Sequence, residues 1–266
     1  MKHLKKTLCL LLAVMMLLAL GVPAMAAGEV PVDAAYFPDP VLRKYVTDYC
    51  DTNKDNKLSA AECEAVQCID LFEMKITKVA DMTGIEHFTN LHELIACNNQ
   101  IATLDLSGMT KLEKLDVSGC GKLQSLKLAG CSALTQPDAS SCALTALDLT
   151  GCTALESLDC SDNALAALDL SGCTALNATA QGDGKAENPI LSPQYLPEQT
   201  GAVTDGGKCT VYFDVIVGKD NLGSITRVPD ANYDKQTGEA EFTKTPDYFT
   251  YSYDTGRKGL PAMSVY

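Results

Sequence analysis

The chain has 266 residues, a formal net charge of −13 and 46% hydrophobic residues. Such an acidic chain lacks the clustered Lys and Arg on which nucleic-acid binding depends, so nucleic acid is excluded as a partner. The same charge disfavours adsorption to anionic membrane surfaces.

Residues 1–26 have the pattern of a secretory signal peptide: a basic start, an apolar core over residues 8–20 and a small-residue cleavage site that ends at Ala26. The apolar run is shorter than the roughly 20 residues that a transmembrane helix needs. The segment contains three lysines and no acidic residue, so its removal changes the net charge from −13 to −16. We predict a secreted, extracellular protein that is cleaved near Ala26 and has no membrane span in its mature chain.

Residues 27–68 predict a helical, EF-hand-like N-terminal cap. Apolar residues from Val41 to Tyr49 repeat at helical spacing. The following twelve residues match the calcium loop of an EF-hand, in which a hard cation takes about seven oxygens from inward-turned positions. The predicted metal ligands, with Lys57 contributing its backbone carbonyl, are Asp51, Asn53, Asp55, Lys57, Ser59 and Glu62. We therefore predict a structural Ca²⁺ that orders the cap.

One departure from the calcium loop leaves a second interpretation open. The sixth loop position is usually Gly because the chain turns sharply there, and this chain has Asn56, which tolerates the left-handed conformation at some cost. Ser59 and Glu62 also match a capping box that starts a helix. Without a metal, the segment is an acidic turn followed by a capped helix. Leu58 faces the core in both interpretations.

Residues 69–188 contain an internal repeat. From Leu91 to Leu176 the pattern LxxLxL returns every ten or eleven residues, and alternate units resemble each other most, so the structural repeat is about 21 residues. Apolar residues such as Leu115 and Val117 alternate with the period of a strand that has one buried face. We predict a leucine-rich repeat solenoid, flattened, with parallel strands on both sides of each coil and stability that comes from stacking.

The cysteines follow the repeat. Five occupy the ninth position of their units, where Asn or Met stands in the other units: Cys120, Cys131, Cys142, Cys152 and Cys173. A buried Asn or Cys at this position can bond backbone groups where the chain leaves the strand, which predicts a structural role. In-register side chains on adjacent coils have a poor torsion for a disulfide. The disulfide that we consider most plausible joins Cys50 to Cys63 or Cys68.

Aspartates also recur at one position of the repeat, the fifth, on both sides of the predicted solenoid. The candidate partner-binding residues are Asp116, Asp138 and Asp159 on one side and Asp105, Asp148 and Asp169 on the other, with Lys127 between. Stacked like charges repel each other, so such rows either stay solvated or attract cations and basic ligand groups. Both interpretations remain open from the sequence.

Residues 189–266 differ from the repeats. Short alternating stretches separated by turns predict a small all-β, Ig-like module that caps the far end of the array. The predicted strands are Cys209 to Ile216, Ser224 to Val228, Ala240 to Thr243, Tyr248 to Tyr253 and Ala262 to Tyr266. If a glycan or partner surface exists, this module has the better residues for it, although alternate ones must be core: Tyr233, Tyr248, Phe249, Tyr251 and Tyr253.

Motifs for catalysis are missing from the sequence. The mature chain keeps two histidines, and it has no GxSxG, no metalloprotease motif and no Gly-rich phosphate loop. We predict that the protein is not an enzyme.

The segment LESLDCSDNALAALDLSGCTAL resembles the repeats of bacterial secreted or surface leucine-rich repeat proteins, internalin-like in the loose sense. The resemblance extends upstream to FPDPVLRKYVTDYC and TGIEHFTNLHEL, and downstream to VGKDNLGSITRV and ANYDKQTGEAEF. It implies a non-catalytic binding protein for an unknown extracellular protein or glycan.

An alternative comes from the acidic loop, which resembles half of a dockerin. That resemblance implies a structural or assembly module that docks to a scaffold through calcium. Dockerins carry two such loops, and this chain has one.

Overall fold

The structure is a computed structural model, and it describes residues 29–176, 194, 202–205, 208–217, 219–229, 231–242, 251–255 and 263–265. The predicted signal peptide, residues 1–26, lies outside the described residues. None of the described helices is long and apolar enough to cross a membrane.

The N-terminal segment is a small helical cap. Its elements are β1 (Val30–Pro31), α1 (Pro40–Tyr45), a π-helical turn (Val46–Cys50), β2 (Lys57–Leu58) and α2 (Ala60–Ala65). β1 and β2 form an antiparallel pair. The sequence predicted a single helical stripe from Val41 to Tyr49, and Leu42, Tyr45 and Val46 are buried as expected, whereas Tyr49 is 44% exposed.

Asp39 is the N-cap residue of α1, and it also forms hydrogen bonds to the segment that leads into the repeats. One carboxylate oxygen accepts hydrogen bonds from the backbone N–H groups of Val41 and Leu42, at 2.8 and 2.9 Å. The other accepts from the N–H groups of Ala80 and Asp81, at 2.8 and 3.4 Å. Burial alone would raise the pKa of Asp39, but these backbone donors outweigh it and hold the pKa below its ordinary value.

The repeats form a flattened solenoid with a parallel sheet on each side, which confirms the predicted fold. The first sheet contains β3 (Cys68–Asp70), β4 (Glu93–Ile95), β6 (Lys114–Asp116) and β8 (Gln136–Asp138). The second contains β5 (Thr103–Asp105), β7 (Ser125–Lys127) and β9 (Ala146–Asp148). A parallel bridge between Asp138 and Asp159 extends the first sheet by one coil.

The register gives the repeat length and the core. Glu93 pairs with Lys114 and Ser125 with Ala146, each 21 residues apart, which confirms the predicted coil of about that length. The central residue of each strand is buried, so leucines from successive coils stack into one continuous core. A single coil cannot bury these side chains alone, and the stack therefore depends on its two ends.

The cysteines at the ninth repeat position bond to backbone groups, as the sequence predicted. Their acceptors lie in the preceding coil. The Sγ atoms of Cys120, Cys131 and Cys152 donate to the carbonyls of Ala96, Leu106 and Leu128, at 3.4, 3.1 and 3.3 Å. Burial raises the pKa of the Cys152 thiol to about 12, so the group keeps its proton at neutral pH. These cysteines act as small buried donors.

The considered disulfide is not present in this structure. Cys50 and Cys63 are buried thiols that form no disulfide, and the Sγ atom of Cys68 lies 3.9 Å from a carboxylate oxygen of Glu93. Burial raises the pKa of Cys50 to about 12 and that of Cys63 to about 11.

Asn163 occupies the same repeat position and makes more bonds than a cysteine. Its side-chain oxygen accepts from the N–H of Leu144 at 2.9 Å. Its amide nitrogen donates to the carbonyls of Ala139, Cys160 and Ser161 at 2.8, 3.0 and 3.1 Å. A buried Asn thus joins two consecutive coils.

The C-terminal residues form two small antiparallel sheets. One contains β10 (Ala202–Asp205), β11 (Lys208–Tyr212), β13 (Ala231–Tyr233) and β14 (Glu239–Phe242). The other contains β12 (Ile225–Arg227), β15 (Tyr251–Tyr253) and β16 (Met263–Val265). These antiparallel sheets agree with the predicted β-rich C-terminal part, and the Ig-like classification stays a prediction.

One predicted strand was too long. We expected a strand from Cys209 to Ile216, but β11 ends at Tyr212 and a short helix, α3 (Phe213–Ile216), follows. Phe213 and Val217, four residues apart, are both buried, and the N–H of Val217 donates to the carbonyl of Phe213 at 2.8 Å. The apolar spacing there is helical.

Residues from the C-terminal part contact the last described coil. The side-chain oxygen of Gln194 accepts from the N–H of Leu165 at 2.9 Å, and its amide donates to the carbonyl of Cys160 at 2.7 Å. Gln194 thereby continues the row of bonds begun by Asn163. On the other side, the N–H of Leu170 donates to the carbonyl of Thr255 at 2.8 Å. Backbone groups of the last coil are thus satisfied from outside the repeats.

Candidate functional site

The first sheet places the predicted aspartates in one outward row. Its register pairs Asp70 with Ile95, Ile95 with Asp116, and Asp116 with Asp138, and the isolated bridge adds Asp159. Neighbouring parallel strands lie about 4.8 Å apart. Three carboxylates on consecutive coils therefore follow an apolar side chain along this face.

Each aspartate of this row is held by a serine two residues later. The Oδ1 atoms of Asp116, Asp138 and Asp159 accept from the hydroxyl groups of these serines, each at 2.7 Å. They also accept from the backbone N–H groups of the same residues at 3.0 or 3.1 Å. The serines are Ser118, Ser140 and Ser161. The repeated Asp-x-Ser spacing in the sequence is the signal that could have identified these serines.

Asp116, Asp138 and Asp159 are all half-buried. Burial raises the pKa of Asp159 above its ordinary value, Ser161 partly offsets the shift, and the nearby Asp138 adds to it. A half-buried carboxylate without a nearby cation is costly to keep ionised, because burial removes water from its charge. A basic group brought to this face would relieve that cost.

The second sheet has a different arrangement. Its row contains Asp105, Lys127 and Asp148 in direct register. The ammonium group of Lys127 lies 3.0 Å from a carboxylate oxygen of Asp105. Asp169 holds the same unit position one coil further on, and all three aspartates are exposed. This face therefore carries its own counter-charge and is well solvated.

The six predicted calcium ligands lie in one loop of the cap. Asn56 has a φ of 63°, so the sixth position adopts the left-handed conformation that the calcium loop requires. Lys57 and Leu58 form β2, which pairs with Val30–Pro31. The sequence analysis did not identify this partner strand, because it lies more than twenty residues upstream.

The oxygens of the loop are engaged by its own donors. The capping box between Ser59 and Glu62 is formed, and Asp51 accepts from the N–H of Asn56 at 2.9 Å. Among the described residues, which include the whole loop, no group of three or more His, Cys, Asp or Glu is arranged to hold a metal ion. In this conformation the loop does not fit calcium, and calcium binding stays a prediction.

Two of the described aromatic residues of the C-terminal part belong to the core. Tyr251 and Tyr253 are 2% and 4% exposed and therefore cannot contribute to a binding surface. The hydroxyl of Tyr251 donates to the carbonyl of Ala166 at 2.8 Å, which explains its burial against the solenoid. Tyr248 and Phe249 lie outside the described residues, and Tyr233 is half-buried.

Comparison with known families gives one match. Residues 37–163 match the model of the LRR domain of the endo-β-N-acetylglucosaminidase EndoS. The matched part is described as the leucine-rich repeat domain of that enzyme. No curated protein matches the chain.

Similar solved structures come from Listeria monocytogenes. An internalin, InlF, is 20% identical with a TM-score of 0.37, and the match covers 58% of this chain and 52% of that one. This chain thus spans about half the length of the InlF structure. The functional domain of InlJ, described as including a cysteine ladder, is 13% identical with a TM-score of 0.20 and covers 91% of this chain and 98% of that one.

The repeated sequence pattern and the two stacked parallel sheets show that the chain contains a leucine-rich repeat solenoid. Residues 37–163 of this solenoid and its cap are similar to the LRR domain of EndoS.

Proposed function

We propose that the chain is an exported, non-catalytic binding protein that presents the outward face of its first sheet to an extracellular protein partner. The observation that carries this proposal is the row of three half-buried aspartates on consecutive coils. Repeat solenoids use such extended surfaces for binding, and nothing in the row resembles a catalytic arrangement.

The two faces differ in their internal charge balance. On the second sheet Lys127 pairs with Asp105 at 3.0 Å within the row. On the first sheet the row runs through Asp70, Ile95, Asp116, Asp138 and Asp159 and contains no lysine or arginine, and Lys114 of the neighbouring row contacts Glu93 at 3.7 Å. Complementary potentials steer association and select partners. The first face therefore suits a partner segment that carries Lys or Arg.

An apolar position completes this surface. Ile95 occupies the row between Asp70 and Asp116 and is half-buried. A partner that pairs an apolar side chain with neighbouring basic residues would match both features. Tyr251 and Tyr253 are buried and so do not offer a stacking surface to a sugar. The charge pattern thus favours a protein over a glycan.

The test compares two charge-neutral triple variants. Asp116→Asn, Asp138→Asn and Asp159→Asn together remove the charge of the first row but keep the oxygen that each serine binds. The matched control carries Asp105→Asn, Asp148→Asn and Asp169→Asn. Each immobilised protein is exposed to extracted surface proteins, and captured proteins are quantified by mass spectrometry. We expect the first triple variant to lose about tenfold in capture of a basic partner, consistent with surface ion pairs of up to about 1 kcal/mol each.

The control variant should retain that partner. Equal capture by the wild type and both variants would show that the first row does not bind it. Thermal unfolding of all three proteins checks that the substitutions leave the fold intact.

A further inference from the structure

The loop from Asp51 to Glu62 is closed by one buried carboxylate. Glu62 is 2% exposed. Its Oε1 atom accepts from the N–H and hydroxyl groups of Thr52, at 2.8 and 2.7 Å, and from the N–H of Asn53 at 3.3 Å. Its Oε2 atom accepts from the N–H and hydroxyl groups of Ser59, both at 2.9 Å. Glu62 thus joins the start of the loop to its end.

The same carboxylate would supply both oxygens to calcium in a metal-filled loop of this pattern. Here five donors of the protein already occupy these oxygens. A carboxylate that accepts several hydrogen bonds in a buried place is well stabilised in its charged form. Both oxygens that an ion would use are therefore engaged by backbone and hydroxyl groups of the loop itself.

Lys54 also holds the loop, through hydrogen bonds to the helical turn that precedes it. Its ammonium group donates to the carbonyls of Thr47 and Asp48, at 2.5 and 2.9 Å. These carbonyls lie in the π-helical turn that precedes the loop, where carbonyl groups without a partner favour a cation. The loop thus supplies a positive charge of its own to the preceding helix.

A third contact holds the loop from outside. The N–H of Val32 donates to the carbonyl of Asn56 at 2.9 Å, and β1 pairs with β2 over two residues. Leu58 of β2 is fully buried in the core. Hydrogen bonds, a lysine and a short strand therefore fix the same loop independently.

We propose that this loop is a metal-independent clasp, in which Glu62 closes the cap over the first coil by binding Thr52, Asn53 and Ser59. The cap then holds its fold in surroundings that contain no calcium. An ion could enter only by replacing the five hydrogen bonds of Glu62.

The experiment is thermal unfolding of residues 27–266 in chelator and in about 10 mM calcium, a concentration above the weak range of extracellular EF-hand sites. The clasp predicts the same melting temperature in both conditions. Glu62→Gln should lower the melting temperature equally in both, because it removes the charged acceptor. Asp55→Asn is the matched control: Asp55 is exposed, Asn keeps the Oδ1 acceptor that the N–H of Lys57 uses at 2.9 Å, and the change removes only the exposed bond from the Asn53 amide to Oδ2 at 3.0 Å. This variant should melt as the wild type does.

A rise in melting temperature with calcium that Asp55→Asn abolishes would overturn the proposal, because it would show that the loop needs its ion. Amide hydrogen exchange gives a second measurement that does not depend on any variant. In the wild type with chelator, the N–H groups of Thr52 and Asn53 should be protected as strongly as those of α2. Rapid exchange at both positions would contradict the clasp.

Discussion

Two buried carboxylates, those of Asp39 and Glu62, hold the N-terminal cap together through hydrogen bonds. Asp39 and Glu62 each accept several hydrogen bonds from backbone N–H groups, and both are nearly inaccessible to solvent. The sequence predicted the bonds between Glu62 and Ser59, because a capping box has a fixed local spacing. It could not predict the bond from Ala80 to Asp39, because these residues are 41 positions apart.

Replacement of Asp39 should reveal this double role. Asp39→Ala removes the N-cap of α1 and leaves the N–H groups of Ala80 and Asp81 without their acceptor. A lost cap and unsatisfied buried donors together cost about 2–3 kcal/mol. The free energy of unfolding in urea measures this loss. Asp33→Ala is the control, since Asp33 is exposed and caps only the nearby N–H groups of Ala35 and Tyr36.

The effect of Asp39 should also depend on pH. Its pKa in the folded protein lies below the ordinary value, so the carboxylate stabilises the fold fully above the unfolded pKa of about 3.9. That contribution disappears as the pH falls through the folded pKa. Wild type and Asp39→Ala should therefore differ least in stability at the acid end. A constant difference down to that end would contradict this role.

Neighbouring coils of the solenoid are joined by hydrogen bonds that recur at one repeat position. The repeat position of Cys120, Cys152 and Asn163 was predicted to bond backbone groups, and the structure shows these bonds. Repetition made this prediction secure, since several units carry the same signal. The short helix at Phe213 was missed, because one turn of helix and an alternating strand have similar apolar spacing over four residues.

Asn163→Ala should be the more costly change within this set of contacts. It removes one acceptor and the donors to three carbonyls, so buried backbone groups on two coils lose their partners. We expect a loss of roughly 3 kcal/mol in the free energy of unfolding, measured by urea titration. Cys152→Ala removes a single thiol bond to Leu128 and should cost less. A larger loss for Cys152→Ala would contradict the ranking.

The whole molecule combines a symmetrical scaffold with two unlike faces. The repeat length, the two parallel sheets and the positions of the six aspartates were all predictable from the sequence. The closing contacts of the far end were not, because Gln194 is 29 residues from Leu165, and Tyr251 is 85 residues from Ala166. The ion pair between Lys127 and Asp105 also needed the structure, because the sequence placed Lys127 between the aspartates without showing which of them it contacts.

Site-specific photo-crosslinking tests the binding face most directly. A benzoylphenylalanine probe replaces Gln136, an exposed residue of the first sheet, or Ala146, an exposed residue of the second. Each protein is irradiated with extracted surface proteins, and adducts are identified by mass spectrometry. Our account predicts a partner adduct from position 136 and none from position 146. Adducts from position 146 alone, or from neither position, would contradict binding through the first sheet.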